Sequence, residues 1–384
     1  MNEPLLSIVI PTKDRYNYLK CLLELIYGFK SELIEVVLQD NTSNNEEIIK
    51  FLEERNYPNL VYNHIPHQIP ISLNCDKAIK NSHGKYVCFI GDDDGVTRYI
   101  VDCVRWMDNN DIEIVLPETI SYYWPDAVYT VSGNVPGRLI IPKFSNKVTK
   151  ISTRLVLEEI MNLGFINRGR LPLAYHGIVR RDTLEKIFQI CGTYFPGQSP
   201  DIANGVALSL VSDHYYHISF PLVIPGAGSR HGGDIGKMKN HAAKIEDVPF
   251  LSNTAKRDWE ELIPRIWTGE TIWCESAVKA LRNMQHSEMV KNVNFEVMYA
   301  YFIAYHYPLR NMAYKLTSNK FKLFIKSNLL FVERVINAIA RRLKMRFVKD
   351  SNQIFGVNTI NDAEEILCRN HREFISCENI EHND

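Results

Sequence analysis

Short apolar runs and segments with helical periodicity alternate along the first third of the chain. Four apolar runs are typical of strands buried on both faces, at residues 5–10, 34–38, 60–63 and 86–90. Between them, apolar residues recur at the spacing of an α-helix over residues 18–29, 46–55 and 72–81. This alternation predicts an α/β fold with a mostly parallel sheet and helices on both of its faces.

The remainder of the chain has two different patterns. From residue 110 to about 230 strands and helices are mixed, with strands predicted at 112–116, 138–141 and 217–224 and helices near 153–163 and 182–190. A stretch rich in glycine and proline follows at 225–233, and helical patterns dominate after it. We therefore predict an α/β domain over residues 1–245 and a helical C-terminal region over residues 246–384.

The composition predicts a folded protein of the cytoplasm. The 384 residues are 45% hydrophobic and 23% charged, with a formal net charge of -1, which excludes wholesale disorder. No apolar run approaches the roughly 18 to 20 residues that span a bilayer, and the N-terminus lacks the basic flank and cleavage site of a signal peptide. Eight scattered cysteines without a CxxC pair indicate reduced thiols and no structural zinc.

One segment departs from this balance of charge. Between Lys315 and Lys349 the chain has ten Lys and Arg residues and a single acid, Glu333. Its apolar residues fall at spacings of three and four, at Val332, Val335, Ile336, Ile339, Leu343 and Phe347. Such a basic amphipathic helix predicts a contact with an anionic membrane surface, and nucleic acid is disfavoured because no reader motif accompanies the charge. In the alternative, the apolar stripe packs on the catalytic domain or on a partner subunit of an oligomer.

Polar residues that carry chemistry follow the predicted strands. Asp92, Asp93 and Asp94 come directly after the run at 86–90, and Asp40 closes the run at 34–38. In parallel sheets ligands bind beyond the carboxyl ends of the strands. Three adjacent carboxylates repel one another unless a cation lies between them, so a hard divalent metal such as Mg²⁺ or Mn²⁺, shared with a substrate diphosphate, fits this turn. The alternative is a solvated acidic turn.

Three segments together resemble a known family. SIVIPTKDR, VVLQDNTS and GKYVCFIGDDDG, in this order within residues 5–110, are similar to the nucleotide-sugar-binding segments of family 2 glycosyltransferases, which have the GT-A fold. The sequence departs from many members at Asn41, where they have a second acid. The resemblance implies these roles: nucleoside binding by Pro11, Thr12, Arg15 and Asp40, contact of Asp92 and Asp93 with the donor nucleotide, and metal binding by Asp92 and Asp94.

The same resemblance indicates where a general base would lie. Inverting members of the family usually deprotonate the acceptor hydroxyl with an acid at the start of a helix, about a hundred residues after the acidic motif. Asp201, after Ser199 and Pro200, fits that description, although the same position suits an acid that only stabilises the helix start. Some GT-A enzymes also use a late histidine on the metal or diphosphate, which here implies His231, with Arg230 beside it to neutralise the diphosphate.

The resemblance implies an inverting, metal-dependent glycosyltransferase. It would transfer a sugar from a nucleotide-sugar donor to a hydroxyl of a glycan or lipid-linked glycan, in surface-polysaccharide synthesis such as that of O-antigen or capsule, at the inner face of the cell membrane. Two other functions stay open: a non-catalytic scaffold with the same fold, and a sugar nucleotidyltransferase, although the segment after the first strand has no glycine-rich loop. Retaining chemistry also stays open if Asp201 has only the helix-start role.

Overall fold

The fold is described from a computed structural model covering residues 3–127, 137–145, 147–229, 242–249, 251–347 and 352–370, without the side chains of residues 341–347 and 370. Its strands, in chain order, are β1 (Leu6–Thr12), β2 (Ile34–Asp40), β3 (Leu60–His64), β4 (Tyr86–Phe89), β5 (Gly95–Val96), β6 (Ile114–Thr119), β7 (Ser121–Tyr123), β8 (Arg138–Ile140), β9 (Val148–Ser152), β10 (Ile178–Arg180), β11 (His214–Ile224), β12 (Gly226–Ala227) and β13 (Gln353–Phe355).

The α-helices connect these strands and make up most of the C-terminal region. In chain order they are α1 (Tyr16–Gly28), α2 (Glu46–Arg55), α3 (Ile71–Lys80), α4 (Ile100–Asn109), α5 (Thr153–Asn162), α6 (Arg181–Cys191), α7 (Pro200–Val211), α8 (Asn253–Arg257), α9 (Gly269–Asn283), α10 (Phe295–Tyr305), α11 (Arg310–Tyr314), α12 (Lys320–Phe347) and α13 (Ile360–Asn370). Short 3₁₀ turns lie at Ile245–Asp247, Ser287–Asn292 and Tyr307–Leu309.

The larger sheet has the strand order β3-β2-β1-β4-β10-β6-β11-β5, and β9 pairs with β11. The first four strands of this order are parallel. Strand β10 is antiparallel to both β4 and β6, and β6 is parallel to β11. Strands β1, β2, β4 and β6 therefore end at the same edge of the sheet.

Both faces of this sheet are covered by helices, as the β1 strand illustrates. Leu6, Ile8 and Ile10 pack with α1 and α4 on one face, whereas Val9 packs with α3 on the other. This alternation within a buried strand is expected for a sheet between two helical layers. The predicted class, an α/β fold with a mixed, mostly parallel sheet flanked by helices and followed by a helical extension, is confirmed.

A smaller sheet joins the end of the described chain to the α/β core. Its strand order is β12-β7-β8-β13, with β13 antiparallel to β8. Helix α13 packs against α1 and this sheet through Ile360, Ala363 and Leu367. The C-terminal region thus contains a strand as well as helices. Three residues of strand are too few to give the period-two pattern by which a strand is recognised in a sequence.

The apolar core continues across the predicted domain boundary at residue 245. Val206 of α7, Ile245 itself and Ala277 of α9 belong to one cluster of buried side chains. Helices α7 and α9 are also linked by a hydrogen bond from Ser199 N to Ser276 Oγ at 2.9 Å. The helical region therefore packs directly on the layer that covers the sheet. The division at residue 245 stays a prediction.

Helix α12 lies over α10 along the C-terminal region. Its inner side is anchored by Leu323 and Ser327, which are buried, and by Arg334, which donates to the carbonyl oxygen of Ala304 at 3.0 Å. In the part of the chain that the structure describes, no helix combines the length and the apolar content that crossing a bilayer requires.

Candidate functional site

The ends of β1, β2 and β4 bring the three predicted segments side by side. Thr12 and Asp40 are opposite each other in the β1–β2 register, and Pro11 precedes Thr12 on the same strand. The Thr12 hydroxyl donates to Asp92 Oδ2 at 2.6 Å, across 80 residues of sequence. Side chains from separate parts of the chain thus meet at the carboxyl edge of the sheet, where parallel sheets bind ligands.

Arg15, directly before helix α1, supplies positive charge to Asp92, Asp93 and Asp94, which together form the acidic turn. Its guanidinium contacts Asp92, and its Nη1 lies 3.1 Å from Asp93 Oδ2. Burial raises the pKa of Asp92, and the charge of Arg15 together with the Thr12 hydrogen bond offsets part of that rise. Arg15 therefore occupies a position from which it could also neutralise a phosphate bound at this edge.

Asp94 is held by donors from three parts of the chain. Its Oδ2 accepts from Gly91 N at 2.7 Å, from His176 Nε2 at 2.8 Å and from the Tyr175 hydroxyl at 3.2 Å. Its Oδ1 accepts from Gly226 N at 2.8 Å. Burial by itself would raise the pKa of Asp94, but His176 and the two backbone amides lower the pKa below its ordinary value. Asp94 thus organises the turn in addition to the metal-binding role predicted for it.

Asp93 is the carboxylate of the turn with the weakest hydrogen bonding. Its Oδ2 faces Arg15 and accepts weakly from Gly228 N at 3.4 Å, and among the described residues no donor contacts its Oδ1. Burial, together with the neighbouring Asp94 and Asp92 charges, raises the pKa of Asp93 to about 8. Arg15 alone does not balance three adjacent carboxyl groups, so Asp93 tends to keep its proton near neutral pH unless a further cation binds.

Two glycines that follow β11 allow the chain to approach the acidic turn closely. A Cβ atom at Gly226 would lie 1.6 Å from the Asp93 carbonyl oxygen, and one at Gly228 would lie 2.5 Å from the Tyr18 ring. Trp124 Nε1 donates to the same Asp93 oxygen at 2.8 Å. The sequence showed the glycine-rich stretch but gave no sign that its first residues form one wall of the site.

Asp40 is fully buried between two tyrosines. Its Oδ2 accepts from the Tyr16 hydroxyl at 2.7 Å and from the Tyr62 hydroxyl at 2.9 Å, while its Oδ1 accepts from Thr42 N at 2.8 Å. Both tyrosine pKa values are raised, first by burial and also by the Asp40 charge. Sequence reasoning identified Asp40 and missed the tyrosines, which lie on α1 and β3. A nucleoside that reaches Asp40 would meet this tyrosine pair.

Asp201 lies in the first turn of α7, at the start of a helix as the sequence predicted. Its Oδ1 accepts from the Ser199 hydroxyl at 2.7 Å. One turn further, Asn204 Oδ1 accepts from Ala174 N at 2.9 Å, and Ala174 immediately precedes the Tyr175–His176 pair that contacts Asp94. The structure therefore ties the start of α7 to the acidic turn through a short chain of contacts.

The metal was predicted from the carboxylates and from His231. Arg230 and His231 lie outside the described residues. Within the described residues, no group of three or more His, Cys, Asp or Glu side chains is arranged to hold a metal ion. The donor chemistry nevertheless suits Mg²⁺ or Mn²⁺, because the turn offers oxygen ligands from three carboxyl groups, and a bound cation would favour the ionised form of Asp93 over the protonated form.

Comparison with known proteins gave one family and several solved structures. Residues 7–167 match the sequence model described as glycosyl transferase family 2. The crystal structure of S. aureus TarS 1–349 in complex with UDP-GlcNAc is 15% identical, with 89% of this chain and 91% of that chain covered and a TM-score of 0.46. TarS 1–349 in complex with UDP is also 15% identical, with 92% and 96% covered and a TM-score of 0.43. A search of curated proteins found no match to this sequence.

Proposed function

We propose that the protein transfers a sugar from a nucleotide-sugar donor to a hydroxyl of a glycan or lipid-linked glycan, on the premise that residues 7–167 match the glycosyl transferase family 2 model. One observation carries this proposal: Thr12, Arg15 and the acidic turn are in direct contact at the carboxyl edge of the sheet. In this arrangement the positive charge of Arg15 could bind phosphates, and the neighbouring carboxylates could bind a metal and a ribose.

The donor would lie across the ends of β2, β1 and β4. Asp40, with Pro11 and Thr12 beside it, would face the nucleoside, and Asp92 and Asp93 would face the ribose and diphosphate. Arg15 is already directed at those two carboxylates, so a bound diphosphate would place a second anion within reach of its guanidinium. From the sequence, Arg230 is also predicted to neutralise the diphosphate.

Asp92, Asp93 and Asp94 would hold a divalent metal, with His231 as a further predicted ligand. When bound, the ion stabilises the negative charge of the departing diphosphate. Asp93 offers the uncontacted oxygen. The Tyr175 hydroxyl makes the longest of the four hydrogen bonds to Asp94, at 3.2 Å, and is the donor that Asp94 would most easily exchange for a ligand.

Asp201 would act as the general base of an inverting transfer. The acceptor oxygen forms a bond to the anomeric carbon, and its proton passes to the Asp201 carboxylate. The bond from that carbon to the diphosphate breaks on the opposite face, and its electron pair leaves with the nucleoside diphosphate. This proposal is supported by the contacts that run from the start of α7, through Asn204 and Ala174, toward the acidic turn.

Helix α12 supports a location at the cytoplasmic face of a membrane. Phe324, Leu329, Val332 and Ile336 are among its large apolar side chains that stay exposed. Because Lys and Arg outnumber acids ten to one between Lys315 and Lys349, an anionic lipid surface would match both the apolar side chains and the charge. Such a location suits a lipid-linked acceptor in the assembly of O-antigen, capsule or another surface polysaccharide.

Calorimetric titration of UDP, GDP, CDP and dTDP, with and without Mn²⁺, tests the donor site. We expect one nucleotide to bind, and binding to require the metal. The variants Asp93→Asn and Asp94→Ala should lose this metal-dependent binding. Asp108→Asn, on α4 and paired with Lys85, removes a carboxylate away from the site and should bind as the wild type does.

Each result has a distinct meaning. Metal-dependent binding that survives both site variants would contradict the assignment of the acidic turn. If none of the four nucleotides binds to the wild type, the glycosyltransferase proposal is contradicted and a scaffold with the same fold is favoured. Chemical unfolding of each variant, measured in parallel, separates a loss of binding from a loss of folding.

A further inference from the structure

A cavity of about 390 Å³ lies beside the acidic turn, because two of its lining residues, Tyr175 and His176, contact Asp94. Its lining also includes the end of β6 and the loop with Arg168 and Arg170. Because β6 and β4 run in the same direction, these lining residues of β6 lie toward the same edge of the sheet as the acidic turn. Its volume falls within the range of small-molecule pockets, roughly 300–1,000 Å³.

His176 joins this cavity to Asp94. Its backbone N donates to the Phe89 carbonyl oxygen at 2.9 Å, and its φ of 64° is in the left-handed region that non-glycine residues rarely adopt. The ring is buried and its Nε2 bonds to Asp94, yet its Nδ1 has no hydrogen-bond partner among the described residues. A buried polar atom without a partner costs free energy, and strained, unsatisfied residues of this kind concentrate at binding and catalytic sites.

The chemistry of His176 suits a sugar hydroxyl. Its buried, unpaired Nδ1 is a hydrogen-bonding atom, and a hydroxyl can both donate and accept. Tyr175 stacks on the His176 ring, with 3.8 Å between the ring centroids, so the imidazole is fixed in orientation. A hydroxyl that forms a hydrogen bond with this ring would therefore be held next to the acidic turn.

The outer wall of the cavity is positively charged. Arg168 has no carboxylate within ion-pair distance in the described part of the chain, and the nearest acid to Arg170 is Glu159, at 4.0 Å between two exposed side chains. The one acidic residue of the lining, Glu118, faces His217 at 3.8 Å. Two guanidinium groups without strong partners favour an anionic ligand, since Arg pairs with phosphate and carboxylate through two parallel hydrogen bonds.

On the basis of the glycosyltransferase activity proposed above, we propose that this cavity is the acceptor subsite and that it takes a glycan bearing an anionic group. Arg168 and Arg170 bind the phosphate or carboxylate of that group, and the His176 ring hydrogen-bonds to a hydroxyl of the same acceptor. The cavity thus selects acceptors by charge, and it does so with residues that take no part in donor binding.

Glucose, glucose 6-phosphate and glucuronate test this charge selection, because they share a ring and differ in the anionic group. Binding of each to the full chain is measured by saturation-transfer NMR, with the donor site filled by the nucleoside diphosphate and diamagnetic Mg²⁺. We expect the charged probes to bind about tenfold more tightly than glucose, the scale of a hydrogen-bonded ion pair. The tighter of the two charged probes identifies the anionic group.

The double variant Arg168→Gln, Arg170→Gln should bind all three probes as weakly as the wild type binds glucose. The hydrogen bond from the Tyr215 hydroxyl to the Arg170 main-chain oxygen does not involve the replaced side chain, so the loop keeps this anchor. Arg154→Gln is the control, since Arg154 lies on α5, is highly exposed and does not line this cavity.

Equal binding of glucose and the charged probes would overturn the subsite, and so would a charge preference that survives in the double variant. Nucleotide titration of the same samples distinguishes the two proposals. If no nucleotide binds, the donor proposal fails, and the three probes, measured without nucleotide, still decide whether the arginines select anions.

Discussion

Gly226 shows how one residue shapes the site, because it lets the chain after β11 lie against the acidic turn. Gly226→Ala would place a Cβ atom 1.6 Å from the Asp93 carbonyl oxygen, so the backbone must shift. We expect a loss of about 1–3 kcal/mol in the free energy of unfolding, the usual cost of overpacking, together with weaker nucleotide binding. Urea unfolding and calorimetry measure the two effects.

Gly269 provides the matched control for this substitution. It begins α9, and a Cβ atom there would meet nothing within 4 Å. Gly269→Ala should therefore leave both the unfolding free energy and nucleotide affinity close to those of the wild type. Unchanged binding in Gly226→Ala would show that the donor site does not depend on this close approach.

Glu275 of α9 provides a prediction about pH. Both of its carboxylate oxygens are buried and without a hydrogen-bond partner among the described residues, and burial raises its pKa from 4.5 to about 8. Above pH 4.5 the unfolded chain releases this proton while the folded protein keeps it. Stability should therefore fall as the pH rises from about 4.5 to about 8, by a total on the order of 4 kcal/mol from this group.

Glu275→Gln should remove this contribution to the pH dependence. The variant is expected to match the wild type near pH 4.5 and to exceed it in stability near pH 8, as measured by urea unfolding at both values. The exposed Glu261 provides the control, and Glu261→Gln should keep the wild-type slope. A parallel pH dependence in wild type and Glu275→Gln would mean that this carboxyl ionises normally in the folded protein.

Local motifs and distant contacts differ in how far a sequence indicates them. Asp92, Asp93 and Asp94 were identified because they follow an apolar run, and Thr12 and Arg15 because their segment resembles one of a known family. The contacts of Asp92 with Thr12 and Arg15 bring the two segments together. His176, Tyr175 and Gly226 were missed. They lie some 80 to 130 residues after the acidic turn in the sequence, and no local sequence pattern indicates that they contact it in the fold.

At the scale of the element, Asp201 in the first turn of α7 has two possible roles: it acts as the general base, or it only stabilises the start of the helix. Asp201→Asn should lower the transfer rate by roughly 10²-fold or more if this carboxylate is the general base, with donor affinity nearly unchanged. If the acid serves the helix alone, the expected result is a stability loss of about 0.3–1 kcal/mol and a normal rate. Steady-state kinetics and urea unfolding distinguish the two.

Asp182 is a matched control because it occupies the second position of α6, as Asp201 does in α7. Its pKa is lowered by Arg180, which outweighs the effect of burial, and Arg180 Nε donates to its Oδ1 at 2.8 Å. Asp182→Asn should cost a similar amount of stability and leave the rate unchanged. Equal rates in the two variants would place the base elsewhere.

The predictability of elements followed their length. The buried strands and amphipathic helices of the first hundred residues lie within a few residues of their predicted bounds, because burial on one or both faces fixes a strong period. Short elements were predicted less consistently: β8, with three residues, lies within the strand predicted at 138–141, whereas β13 and the two-residue strands β5 and β12 were not predicted. Strand β13 has three residues, and its partner β8 lies more than 200 residues earlier.

At the scale of the whole molecule, α12 presents a surface that the rest of the described chain leaves uncovered. Val332, Val335, Ile336 and Ile339 belonged to the predicted apolar stripe, and all four are exposed. Packing on the same chain therefore involves the other side of the helix, through Leu323 and Ser327. Exposed apolar residues in a strongly basic segment favour an anionic lipid surface as the occupant.

Vesicle sedimentation of the full chain tests this surface. We expect binding to vesicles that contain phosphatidylglycerol, little binding to pure phosphatidylcholine, and weaker binding at high salt, because each Lys or Arg near the surface contributes about 1 kcal/mol. Changing Leu329, Val332 and Ile336 to Ser should abolish it, whereas the same change at the exposed Leu155, Ile190 and Leu262 should not. If instead the wild type is a dimer that the α12 variant converts to monomers, as light scattering would reveal, the helix is a subunit interface and its apolar side chains face a second copy of the chain.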